Sequence, residues 1–421
     1  MADINIGNAP PNSAILPFYA TGALSFFILC QLLFFSADSL SVHYFNPQSL
    51  TIVHTAALGW GTMIIFGAAH QLLPVVCERD LFSPKIASLC WYSLTLGIVL
   101  LTTSFWNSTY NWATIIGAIL INLSAIAYLV NSIFTSRVCK KYSAVRMFVV
   151  TSSIWFLFTA FVGLLLVINL AFPFFQKNHL EILKLHAHAG LAGWFLQLVT
   201  GISSKLVPMF LLGKYTKEKF LNISCILQNL GLILFLVDGY LFGINPNRTI
   251  LYTVIVLSGI VFWMVFLQKN YKERIRKKID VQMKHTFVSF VFLGISVLLI
   301  PIILYFTNTQ WANLYGTLLF MGWITGIILG KTFKTLPFIV WNGHYKNLSG
   351  KIKVPLPKHL YNEKIVEWQL WVYIAAVIVL AFGIILKNTL VIKFASLIWI
   401  VVALLYIFNV LKTLLHKTKT Q

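Results

Sequence analysis

Long apolar stretches separated by short polar segments run through the whole chain. A helix that crosses a bilayer needs about 20 mostly apolar residues. The pattern therefore predicts an all-α polytopic membrane protein, with a single transmembrane domain over residues 1–421. The twelve predicted transmembrane helices lie at about residues 13–36, 51–76, 85–104, 111–135, 148–173, 183–211, 221–242, 248–268, 284–306, 311–340, 367–386 and 389–414.

A glycine-tryptophan motif recurs in the second, sixth and tenth of these helices. Each copy has a Gly-Trp pair, a second glycine seven residues after the tryptophan, and a proline seven residues after that glycine. The copies are Gly59, Trp60, Gly67 and Pro74, then Gly193, Trp194, Gly201 and Pro208, then Gly322, Trp323, Gly330 and Pro337. Because four helices return the chain to its starting side, we predict three parallel four-helix repeats, at about residues 13–135, 148–268 and 284–414.

The three copies differ five residues before the first glycine, where they carry His54, His188 and Thr317. The glycines could allow close helix packing or leave room for a flat ligand, and we expect close packing. We expect the tryptophan and the proline to set the rotation of the helix and a terminal turn. The position that differs between the copies is therefore the candidate for a functional residue, while the glycines, the tryptophan and the proline form a shared structural frame.

The composition excludes a soluble protein. Only 10% of the residues are charged and 58% are hydrophobic, whereas a soluble domain carries about 25% charged residues. A net charge of +21 would suggest a nucleic-acid partner for a soluble protein. Here we assign the excess to loops on one side of a membrane and expect no nucleic-acid partner. The five cysteines have no metal-binding spacing and imply no disulfide framework.

The basic residues also predict the orientation. All but five of the 32 lysines and arginines lie on one side of the predicted membrane or at helix ends that face it. The exceptions are Lys177, Lys184, Arg248, Lys387 and Lys393. By the positive-inside rule, both termini and the loop at residues 341–366 are cytoplasmic. The predicted location is a bacterial-type inner membrane, with the lipid bilayer as the main partner.

Few ionisable side chains lie inside the predicted spans, and such groups are costly unless they face the protein interior. They are His54, His70, His186, His188 and Asp238, with Lys205, Lys331 and Lys334 toward the inner helix ends. Neutral imidazole is a good ligand for haem iron, copper or zinc, although a buried histidine can also simply bond a carbonyl group and pack. We expect His285 at the membrane interface, and His43, His344, His359 and His416 in loops or the tail.

Helix geometry limits which histidines could share a metal ion. His186 and His188 lie about 200° apart around an unbroken helix, so they cannot bind the same ion. His54 and His70 are separated by about 24 Å along their helix, so they serve different depths. Because His54 and His188 occupy the same place in the repeated frame, we favour these two as ligands.

The chain resembles subunit I of the haem–copper oxidase and nitric oxide reductase superfamily. The resemblance rests on the twelve-helix pattern, on His54-x4-Gly-Trp, and on Leu185-His-Ala-His-Ala-Gly-Leu-Ala-Gly-Trp194. The end of the sixth helix, through Met209, is also similar to the NnrS family. The resemblance implies that His54 is an axial haem ligand and that His188, or else His186, binds copper. His70, Asp238 and Thr317 would support the site.

The chain also departs from that family. The resemblance implies a histidine pair in the seventh helix and a His-x-His motif in the tenth. The segment 221–242 has no histidine, and the tenth helix has Asn313 and Thr317 instead. A haem–copper centre needs three copper ligands and a proximal haem ligand. The chain cannot supply this full set at the family's positions, so we predict that it is not a conventional terminal oxidase or proton pump.

Three functions stay open at this point. The first is a divergent oxidase-like protein that binds haem, copper or both in the outer half of the bilayer. Its role would lie in respiratory or nitric-oxide-related redox or metal homeostasis, in partnership with other redox membrane subunits. The second is a membrane transporter or metal conduit. The third is a non-catalytic structural or assembly subunit whose histidines only pack.

Overall fold

The computed structural model describes residues 10–137, 143–306 and 308–418. Within these ranges it contains twelve helices that are long and apolar enough to span a membrane, as predicted. They are α1 (Asn12–Phe35), α2 (Pro47–Cys77), α3 (Pro84–Trp106), α4 (Trp112–Arg137), α5 (Ala144–Ala171), α6 (His179–Leu211), α7 (Lys219–Phe242), α8 (Pro246–Lys272), α9 (Val281–Tyr305), α10 (Thr309–Tyr345), α11 (Glu363–Ile385) and α12 (Thr389–Leu414).

Side-chain caps fix where many of these helices begin. An Asn or Asp side chain accepts a hydrogen bond from a backbone N–H group of the first turn, which would otherwise lack a partner. The capping residues are Asn46 for α2, Asn178 for α6, Asn245 for α8, Asp280 for α9, Asn308 for α10, Asn362 for α11 and Asn388 for α12. These short polar residues also interrupt the apolar stretches, so the sequence pattern and the helix bounds agree closely.

Both glycines of the repeated frame pack against the first helix of their repeat. An added Cβ atom would lie 3.1 Å or less from a side chain there in all six cases. The facing residues are Ser25 and Phe18 on α1, Trp155 and Phe148 on α5, and Phe292 and His285 on α9. They are seven residues apart on each helix, so the three repeats share one packing register. The space beside these glycines is filled by protein, and their role is close packing rather than room for a flat ligand.

A π-helical segment interrupts α2, α6 and α10 at the same place in the frame. The segments are Thr55–Thr62, Ala189–Leu196 and Leu318–Ile324. Each one begins directly after the position that differs between the copies, which is His54, His188 or Thr317. Such segments are rare and often occur at functional sites, since a side chain next to a widened turn is re-aimed. The apolar pattern did not predict them.

The chain forms two compact units. The first contains Met1–Val75, Leu94–Thr109 and Asp280–Gln421, and the second contains Val76–Ser93 and Tyr110–Ile279. The first unit holds α1, most of α2, the second half of α3 and α9 to α12. The second holds the first half of α3, α4 and α5 to α8. The proposed repeat bounds therefore differ from these units, and they stay a prediction.

Threonines along α10 tie the first unit together through buried hydrogen bonds. Trp60 Nε1 in α2 donates to Thr325 Oγ1 at 2.9 Å. The Tyr406 hydroxyl in α12 is hydrogen-bonded to Thr332, and the Tyr19 hydroxyl in α1 to Thr335. A lipid-embedded bundle gains no hydrophobic attraction between its helices, so such bonds and close packing hold it together.

An amide network does the same in the second unit. Asn229 Oδ1 in α7 accepts hydrogen bonds from Trp155 Nε1 in α5 at 2.9 Å and from Gln197 Nε2 in α6 at 3.0 Å. Gln197 Oε1 in turn accepts from Thr151 Oγ1 at 2.7 Å. Each amide of this network has partners on a neighbouring helix, so the network links α5, α6 and α7 through hydrogen bonds.

The structure corrects or extends several sequence-based expectations. Helix α10 continues through Tyr345, so the loop before α11 begins at residue 346 rather than 341, and Pro337 does not end its helix. His285, near the start of α9, is fully buried between helices. Cys77 is disulfide-bonded, although the cysteine spacing implied no disulfide framework. Parts of the basic segments used for the orientation, at residues 138–141 and 419, also lie outside the described residues.

The close approach at the second glycine predicts the effect of adding a methyl group. In Gly201→Ala the new Cβ would lie 2.5 Å from Phe148 Cβ, so we expect a loss of about 1–3 kcal/mol in the free energy of unfolding. Gly294→Ala is the matched control, because a Cβ there meets nothing within 4 Å. Thermal midpoints of the detergent-purified variants measure the difference, and equal midpoints would contradict this packing.

Candidate histidine sites

His54 lies at the end of the α-helical part of α2, immediately before the π-helical segment. Its side chain is half-buried, and its Nδ1 lies 2.7 Å from the carbonyl oxygen of Leu50, one turn earlier. A carbonyl oxygen only accepts hydrogen bonds, so Nδ1 carries the proton and Nε2 carries the lone pair of the neutral ring. The ring also packs on Phe105 of α3, with centroids 5.0 Å apart and planes at 52°.

His188 repeats this environment in α6. Its Nδ1 lies 2.8 Å from the carbonyl oxygen of Lys184, and its ring packs on Phe235 of α7 with centroids 5.1 Å apart and planes at 58°. Both histidines thus precede a π-helical segment, donate to their own helix and contact a phenylalanine on the third helix of their repeat. Sequence reasoning matched the histidines but missed the phenylalanines, because those lie in helices without the recurring motif.

In each histidine, one ring nitrogen donates a hydrogen bond and the other, Nε2, has the lone pair that could bind a metal. Histidines that bind metals usually donate their other ring N–H to a carbonyl or carboxylate oxygen, which fixes the tautomer and the ring orientation. His54 belongs to the first compact unit and His188 to the second. Their surroundings are therefore described separately, and a shared cavity for both stays a prediction.

His186 faces a different helix from His188, as helix geometry requires. Its Nδ1 lies 3.0 Å from the carbonyl oxygen of Thr159 in α5, and its ring fills the space beside Gly163 in the same helix. An added Cβ at Gly163 would lie 2.9 Å from His186 Cε1. The geometry therefore makes His186 a contact between α5 and α6.

His70 and Thr317 occupy two further positions of the frame. His70 is buried in α2, its Nδ1 lies 2.8 Å from the carbonyl oxygen of Phe66, and its ring lies 5.7 Å from that of Phe18. Thr317 is half-buried at the start of the π-helical segment of α10. One turn earlier, Asn313 donates to the carbonyl oxygens of residues 40 and 42 and thereby holds the loop before α2.

Asp238 forms an ion pair at the turn between α7 and α8. Its Oδ2 accepts a hydrogen bond from Arg248 Nε at 2.8 Å. Arg248 also donates to the carbonyl oxygen of Gly243 in the turn itself, at 3.3 Å. The carboxylate therefore helps to fasten two helix ends, a partner that the sequence analysis did not identify.

The donor set can be compared with what metals need. Among the described residues, no group of three or more His, Cys, Asp and Glu side chains could hold a metal ion. A copper centre with three protein ligands therefore does not fit these residues. His54 and His188 each present one imidazole in a fixed tautomer, which is the kind of donor that a haem iron takes.

Comparison with solved structures shows the fold. A haem–copper terminal oxidase dimer solved by cryo-electron microscopy superposes with a TM-score of 0.72, over 97% of this chain and 85% of that one, at 10% sequence identity. The expected resemblance to haem–copper oxidase subunit I is therefore confirmed for the fold, including its twelve spans. At this identity the similarity shows the architecture and carries no ligand with it.

Curated relatives are similar to a short part of the chain. A cytochrome c oxidase subunit 1 homologue of Agrobacterium tumefaciens is 36% identical over 67 residues, or 16% of this chain and 12% of that protein. Cytochrome c oxidase subunit 1 of Rhodobacter capsulatus is also 36% identical over 67 residues, or 13% of its length. The match thus spans about an eighth of these relatives. No protein-family profile matches the chain.

The contact between His186 and Gly163 predicts a coupling between two substitutions. Gly163→Ala alone forces a methyl group against the imidazole ring, and we expect a loss of about 1–3 kcal/mol in stability. His186→Ala alone loses the hydrogen bond to α5, at about 0.5–1.5 kcal/mol. In the double variant the ring is gone and the methyl group fits, so the combined loss should be well below the sum.

Thermal or denaturant unfolding in detergent measures this cycle, with His188→Ala as control. The Nδ1 bond of His188 stays within α6, so Gly163→Ala should not couple to it. Additive losses for Gly163→Ala and His186→Ala would show that His186 does not pack on α5.

Proposed function

We propose that this chain is a divergent haem–copper-oxidase-like membrane protein that binds haem through His54, His188 or both. Its role would lie in respiratory or nitric-oxide-related redox or metal homeostasis rather than in conventional oxygen reduction. The observation that carries the proposal is the matched environment of these two histidines: each has a fixed tautomer, a phenylalanine partner and a π-helical segment directly after it. The π-helical segment also follows Thr317 in α10, so what is specific to the two histidines is the fixed tautomer and the phenylalanine contact.

The donor set supports haem over a haem–copper centre. A copper ion with three protein ligands does not fit the described residues, so no oxygen chemistry at such a centre is proposed. Haem held by one imidazole would supply an iron that takes up and releases single electrons. The link to nitric oxide rests on the expected resemblance of the α6 end to the NnrS family, and electrons would come from another redox membrane subunit.

A structural or assembly subunit is the second candidate. His186 and Asp238 both act as contacts between neighbouring helices, and several buried amides tie helices together in the same way. If His54 and His188 also only pack, the chain would be an oxidase-like scaffold that supports other membrane subunits. The haem content of the purified protein and its variants distinguishes the two functions.

The haem proposal predicts a Soret absorption band in protein purified from cells supplied with haem and copper. At least one of the variants His54→Ala and His188→Ala should lower the haem content per chain, and the double variant should abolish it. His43→Ala is the control, because His43 is exposed in the loop before α2 and should leave the haem content unchanged.

Unfolding midpoints of these variants must be compared as well, so that loss of haem is not confused with loss of the fold. A protein without a Soret band and without bound metal would refute haem binding. If its unfolding midpoint and its cellular phenotype are also unchanged in both alanine variants, the assembly role is favoured.

We also propose that the chain lies in a bacterial-type inner membrane with both termini in the cytoplasm. The asymmetry of lysine and arginine supports this orientation. In Asn247→Cys, at the turn between α7 and α8, a membrane-impermeant maleimide should react in intact spheroplasts. In Lys351→Cys, in the loop before α11, it should react only after lysis, and the reverse result would invert the orientation.

A further inference from the structure

The third repeat carries a buried histidine where the other two repeats carry phenylalanine. Phe18, Phe148 and His285 each pack against the second glycine of their frame. His285 is fully buried, and its Nε2 lies 3.3 Å from the carbonyl oxygen of Val366 in α11. Since a phenyl ring fills this place twice, helix packing alone does not require an imidazole here.

A second buried polar side chain lies on the face of α11 that His285 contacts. The imidazole reaches the carbonyl group of Val366, and its ring centroid lies 5.9 Å from that of Tyr373. Gln369 lies between these two residues on the same helix face, because positions three, four and seven residues apart share a face. Gln369 is fully buried, and neither its amide nitrogen nor its amide oxygen has a partner among the described residues.

His285, Gln369 and Gln282 form a cluster of buried polar side chains. Two further atoms of this cluster, His285 Nδ1 and Gln282 Oε1, also have no partner among the described residues. The Gln282 amide nitrogen donates to the Tyr361 hydroxyl at 2.6 Å, which connects the cluster to the loop before α11. Buried polar atoms in folded proteins are almost always satisfied, either by protein groups or by ordered water. Four such atoms, carried by α9 and by the face of α11 that His285 contacts, therefore point to a ligand that both donates and accepts.

Charged groups lie at the start of α9, next to this cluster. Asp280 Oδ2 and Lys334 Nζ are 2.5 Å apart, and their side chains are 10% and 17% exposed. Lys331 Nζ lies 3.1 Å from Met283 Sδ, on the neighbouring turns of α10 and α9. Polar groups thus continue from a partly exposed ion pair at the helix end to the buried side chains within the repeat.

We propose that α9, α10 and α11 enclose a site that binds internal water molecules, entered beside the Asp280–Lys334 ion pair and ending at Gln369. The Nε2 atom of His285 donates to a carbonyl group, so its Nδ1 accepts. Gln369 needs both a donor and an acceptor. Water supplies both. A metal cation would leave the Gln369 nitrogen unsatisfied and would lie near two lysine ammonium groups. The site is independent of haem binding at His54 or His188.

Radiolytic hydroxyl-radical labelling of the full chain in nanodiscs tests this site, because buried side chains beside bound water are oxidised faster than dry ones. Met283 should be oxidised several-fold faster than Met321, and Tyr373 faster than Tyr406. The members of each pair are equally buried, at 1% and 3% for the methionines and 0% for both tyrosines. Equal rates within both pairs would overturn the proposal.

Two variants sharpen the result. His285→Phe installs the residue of the other repeats, and Gln369→Leu replaces the unpartnered amide by an apolar group of similar size. Each should lower the Met283 rate toward that of Met321 while the Met321 rate stays constant. An unchanged Met283 rate in both folded variants would show that water bound at these side chains does not cause the labelling. If a variant fails to fold, the comparison within the unmodified chain still decides.

Discussion

The close approach of one helix to another at a pair of glycines is the constraint on which each repeat depends. Apolar side chains gain little free energy when they move from lipid tails into an equally apolar protein interior. Close van der Waals contact must therefore hold the helices together. The glycines of α2, α6 and α10 allow this contact with α1, α5 and α9 at the same register each time. The tryptophan that follows the first glycine then lies fully buried in all three repeats.

Buried hydrogen bonds add specificity to this packing. The α10 threonines bond to tryptophan and tyrosine side chains of three other helices, and the Asn229 network does the same around α7. Each bond satisfies a group that would be costly to leave unpaired in a low-dielectric interior. The two histidine sites are placed on this rigid framework and contribute little to it, since their Nδ1 bonds remain within their own helices.

Much of the fold could be predicted from the sequence because its signals are local. Apolar length predicts each span, and a polar capping residue such as Asn388 marks where α12 begins. The partners of the candidate site could not be predicted in this way. Phe105 and Arg248 lie on other helices, and no periodicity links them to His54 or Asp238. The burial of His285 could not be predicted for the same reason, because it depends on contacts with Gly330 and α11.

The π-helical segments separate two functions along one helix. Before the segment, His54 faces α3; within and after it, Gly59 and Gly67 face α1. A bond that spans five residues instead of four takes up an extra residue, so the helix halves on either side are rotated against each other. The direction in which the side chain at the variable position points is therefore determined by the π-helical segment and not by the glycines. A protein built this way can exchange histidine for threonine, as α10 does, or turn that position toward another neighbour, while its helix-packing register stays the same.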